Sequence, residues 1–71
     1  MDENVLVVRN ERLNTTLIVI DDRIFPFGYH NNPAQLVDSL KHHQDRYAWA
    51  NLEMYKEDLL KKGWEKWTPT S

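Results

Sequence analysis

Three short apolar runs, VLVV at 5–8, LIVI at 17–20 and IFPF at 24–27, alternate with polar clusters along the first third of the chain. Runs of four residues rich in β-branched side chains are too short to nucleate helices and fit antiparallel strands, predicted here at 5–9, 16–21 and 24–26. The polar stretch RNERLNTT and the pair Asp21–Asp22 supply the turns. Pro26 and Gly28 are expected to stop the third strand early, proline being tolerated only at an edge. Each run is apolar at successive positions, so both faces of the sheet carry hydrophobic side chains. The second face is covered either by the C-terminal Trp residues on a strongly curled sheet or by a partner protein.

Past residue 31 the period changes to that of helices. Asn32, Pro33 and Gln35 have the spacing of a helix start, and Leu36, Val37 and Leu40 form an apolar stripe, predicting a helix over 33–43. Ala48, Trp49, Leu52, Tyr55, Leu59 and Leu60 recur at helical spacing and predict a second helix over 46–62, with Asp45 as its cap and Gly63 beyond its end. The polar run KHHQDR joins the two as a turn; one continuous helix is the rival, since no Gly or Pro interrupts 34–62. Trp64 is expected to fold back on the last helical turn, and residues 68–71 to form a flexible tail. The expected architecture is therefore a single α+β domain: an antiparallel sheet of two or three strands followed by two α-helices packed on one face.

Composition narrows the function classes. Seventy-one residues support one hydrophobic core, and the absence of cysteine removes disulfides and thiolate metal sites. The N-terminal stretch MDENVLVVRN has neither the charge nor the apolar length of a leader or membrane span, which suggests a cytoplasmic protein without a membrane partner. A net charge of −2 disfavours nonspecific nucleic-acid binding, although Arg9, Arg12, Arg23, Lys41 and Arg46 could form a local basic patch. The second helix is acidic in its middle, LEMYKEDLL, which argues against a DNA-recognition helix.

The histidine pair His42–His43 is the most conspicuous candidate for chemistry. Neighbours on a helix point about 100° apart and cannot share one ion, so a metal would need His30, Asp38 or Asp45 as well. Ser39 and His43 stand four residues apart, yet nothing supplies an orienting group or an oxyanion hole. Neither an enzyme nor a cofactor is expected. Binding is the better reading: three Trp, three Tyr and two Phe are many for this length, and most must be core. Arg46, Tyr47, Met54 and Trp67 fall off the apolar stripe and are of the residue types that dominate interfaces. Arg9, Asn10 and Arg12, with Glu11, are expected exposed at the first hairpin, beside an edge open to strand addition.

In size and layout, the hairpin VLVVRNERLNTTLIVIDD followed by LVDSLKHHQDRYAWANLEMYKEDLLKKGW resembles the small transcription regulators of lytic Xanthomonas phages. The resemblance covers nearly the whole chain. It implies a noncatalytic monomer that binds host bacterial RNA polymerase in the host cytoplasm, inhibits σ-dependent initiation, favours antitermination and meets DNA only through the polymerase. The alternatives are an inhibitor of another target, such as a defence nuclease, and a small nucleic-acid-binding domain.

Overall fold

The computed structural model describes residues 5–68. Strands β1 (Val5–Asn10), β2 (Thr15–Ile20) and β3 (Arg23–Gly28) form an antiparallel meander with Val7 opposite Ile18 and Ile18 opposite Phe25. Asn14 and Asp21 take φ of +51° and +57° in the two turns, a left-handed conformation that Asn and Asp tolerate better than other side chains. Helix α1 (Ala34–His43) follows, then a 3-10 turn at Gln44–Arg46 and a two-residue strand β4 (Ala50–Asn51). A second 3-10 turn, Leu52–Tyr55, runs into helix α2 (Lys56–Leu59), and the chain returns to the sheet as β5 (Trp64–Trp67).

The sheet thus has five strands in the order β4-β3-β2-β1-β5, not the two or three expected. β5 pairs antiparallel with β1, setting Trp67 opposite Val7 and Trp64 opposite Asn10. It occupies the edge that the hairpin was expected to leave open for strand addition. β3 also runs further than predicted, through Pro26 to Gly28. The reason is local: β4 meets β3 only at Arg23 and Ile24, so Pro26 lies where the outer edge of β3 has no strand partner and its missing N–H costs no ladder bond.

The expected helix over 46–62 is absent; only Lys56–Leu59 is α-helical within it. Extended backbone intervenes because Ala50 pairs with Ile24, and a fresh helical turn starts at Asn51, whose Oδ1 accepts from Met54 N at 3.2 Å. The first helix begins one residue later than predicted, with Asn32 Oδ1 accepting from Ala34 N at 3.2 Å. Gly63 has φ +106°, the left-handed turn that glycine permits, although it follows a bend rather than a long helix. Trp64 does fold back on the preceding turn, its Nε1 donating to Asp58 O at 2.9 Å. Of the tail expected at 68–71, residues 69–71 lie outside the described residues.

Strand register separates the two faces. Val7, Ile18, Ile20 and Phe25 share one face and are buried with Leu40 of α1; Leu36, Val37, Tyr47 and Trp67 pack around them. Burying such a side chain fully contributes roughly 1.5–3 kcal/mol. Leu17 and Ile24, on the opposite face, are also fully buried. There the 52–62 segment lies over the sheet, its Tyr55, Asp58 and Lys61 lining one cleft together with Thr15, Pro26 and Gly28. The two helices therefore sit on opposite faces, correcting the expectation that both pack on one. A sheet that is apolar on both sides needs two covers, and the chain provides them by sending α1 to one side and α2 to the other.

Candidate partner-binding surface

The buried side chain of Asn10 organises one end of the molecule. Its Nδ2 donates to Lys62 O at 3.0 Å and its Oδ1 accepts from Leu13 N at 3.3 Å, so one amide joins the β1–β2 turn to the bend before β5. A Cβ at Gly63 would stand 2.8 Å from Asn10 Oδ1, which shows how closely the two segments approach. Beside this joint opens a cleft of about 520 Å³. Leu13, Pro26, Phe27, Tyr55 and Trp64 wall it, and Asp58 and Lys61, 3.2 Å apart, stand at its rim. Its aromatic walls and few polar groups suit an apolar side chain of a partner. A second groove of about 350 Å³ runs between β1, β5 and α1, lined by Val5, Val37 and Trp67 among others.

The sequence-predicted residues do not converge on one site. Asn10 was expected exposed and is fully buried, because its amide satisfies two backbone groups. Arg9 is half-buried: its guanidinium donates to His30 O and Asn31 O, both at 3.0 Å, and lies 5.3 Å from the Tyr29 ring centroid, tying down the loop before α1. Tyr47 was placed off the core stripe and instead packs against the core, edge-on to Phe27 at 5.8 Å with its hydroxyl 2.7 Å from Ser39 Oγ. Trp67 likewise packs against the core from β5. Arg12, Arg46 and Met54 are exposed. Trp49 reverses the other way: read as core, it is 49% exposed and lies under the Arg23 guanidinium at 4.6 Å.

Arg12 and Arg23 stand at opposite ends of β2, about 20 Å apart at the rise of an extended strand, so the candidate basic residues form no single patch. His42 Nδ1 bonds to Asp38 O at 2.9 Å, and its ring lies 6.4 Å from that of His43 with a 48° tilt. Among the described residues no group of three or more His, Asp or Glu comes together to hold a metal ion. The Ser39 hydroxyl is engaged by Tyr47 rather than by His43. No helix among the described residues is long and apolar enough to cross a membrane.

Sequence reasoning missed Leu13, Leu60 and Lys62. Leu13 had a signal: it is the lone large apolar residue in an otherwise polar turn, where burial in a local core cannot explain it. Leu60 falls on the apolar stripe of the predicted second helix, but the helix ends at Leu59 and Leu60 is 80% exposed. No protein-family model, curated protein or solved structure matches the chain.

Proposed function

We propose that this chain is a noncatalytic phage protein that binds host RNA polymerase, reduces σ-dependent initiation and favours antitermination. The choice of polymerase rests on the resemblance in size and layout to the phage transcription regulators. The protein-binding part is carried by one observation: the 49–60 segment leaves Trp49, Leu52, Met54 and Leu60 between 49% and 80% exposed while the core is filled by other residues. Large apolar and aromatic side chains held outside a complete core are what an interface is made of. The cleft walled by Tyr55 and Trp64 offers a partner's side chain a concave seat. Action is by occupying a surface, so no residue is assigned a catalytic role.

The test is co-elution on a sizing column with bacterial core RNA polymerase and, separately, with σ-containing holoenzyme. A stoichiometric complex that persists at moderate salt and lacks σ is the expected result. Absence of a complex with either form would overturn the polymerase assignment. A complex lost steeply as salt rises would instead mark phosphate-like electrostatic binding.

A further inference from the structure

The cleft continues into a basic, leucine-bearing shelf. Leu13 and Lys61 line both, and beyond them lie Arg12, Leu60 and Lys62. Leu13 is 40% exposed and Leu60 80%. Lys61 is held by Asp58 at 3.2 Å, whereas Arg12 and Lys62 have no carboxylate within 4.0 Å among the described residues. Two cations and two leucines therefore face outward together, next to a cavity with aromatic walls.

The shelf is also fixed in place. Asn10 holds the backbone of both Leu13 and Lys62, and Trp64 is anchored to Asp58 O. A surface whose backbone is already locked loses little freedom when a partner binds. We infer that this surface takes an acidic segment of the partner protein, with one large apolar side chain seated in the cleft and carboxylates against Arg12 and Lys62. The inference deepens the partner-binding reading above and rests on it.

Charge complementarity selects an acidic partner, and the leucines select a protein over a nucleic acid. A phosphate backbone would gain from the cations but nothing from Leu13 and Leu60. A lipid surface would meet the leucines but could not fill the concave cleft between Pro26, Tyr55 and Trp64.

The probe is a fluorescein-labelled peptide of Glu residues around a central Trp, read by fluorescence anisotropy against the whole protein. Controls replace Glu by Lys, or Trp by Ser; an oligo-dT strand and phosphatidylglycerol vesicles test the other two classes. The Glu–Trp peptide should bind, and each control peptide should bind at least roughly tenfold more weakly. Leu60→Ser and Lys62→Glu should each weaken binding by roughly tenfold with an unchanged melting temperature, because both positions are exposed.

Equal binding of the Lys peptide, no binding of the Glu–Trp peptide, or unchanged affinity in both variants would overturn the inference. So would preferential capture of oligo-dT or vesicles. The same two variants are then run in the polymerase co-elution. If peptide binding fails while the polymerase complex forms unchanged, this surface is wrong and the polymerase reading stands. If the peptide binds and no polymerase complex forms, the surface stands and the choice of polymerase falls.

Discussion

Asn10 and Gly63 show how much of this small structure depends on a single contact. Asparagine in a polar turn reads as solvent-exposed, and only the return of the chain after Lys62 turns its amide into a buried clamp. Nothing near position 10 signals a partner 52 residues away. Asn10→Ala removes both bonds of a buried amide and leaves part-buried backbone groups without their partner, so it should cost about 1–3 kcal/mol in urea unfolding. Gly63→Ala places a side chain at φ +106° and against the Asn10 amide, and should cost about 2 kcal/mol. The two should be less than additive, because the first substitution removes the atom that the second would strike. Strict additivity in that double-mutant cycle would show that the contact carries no strain. Tyr47→Phe deletes the hydroxyl bonded to Ser39 and should cost about 1 kcal/mol with no change in partner binding.

At the scale of elements, the three N-terminal strands and the first helix were legible because their hydrophobic periods are local. The fifth strand was not. WEKW is four residues long and carries no β-branched side chain; it becomes a strand because β1 offers an unpaired edge and Trp67 packs against the core. Tertiary pairing sets this element, and local propensity does not. The misread second helix has a related cause. Apolar residues at three- and four-residue spacing from Ala48 to Leu60 mimic one amphipathic face, yet they come from an extended segment, a 3-10 turn and one short helix. Tyr47 and Trp49 exchanged their inside and outside roles for the same reason, since the backbone around them is not helical. If β5 holds the sheet as described, Trp67→Ala should lower stability by about 3 kcal/mol, the lower end for a large aromatic because Trp67 is half-buried. A loss below about 0.5 kcal/mol, the range of an ordinary surface substitution, would contradict its place beside the core.

For the whole molecule, the double-sided hydrophobicity of the strands was the most informative feature of the sequence. It left two outcomes open, internal cover or a partner, and the fold divides them: α1 and the 52–62 segment close both faces over the fully buried Leu17, Ile18, Ile24 and Phe25, while the cover on the second side leaves its own apolar residues outside. The exposed surface is thus displaced from the sheet onto its lid. That displacement could not be read from strand patterns, because it depends on where the helix at 56–59 ends. In the proposed complex the partner contacts this lid and the adjoining hairpin turn. Amide hydrogen exchange of the protein alone and in complex with core RNA polymerase tests it most directly. Slowed exchange over 11–14 and 52–63, with α1 unchanged, is the expected result; protection confined to α1 or to the groove beside Val37 and Trp67 would overturn this contact.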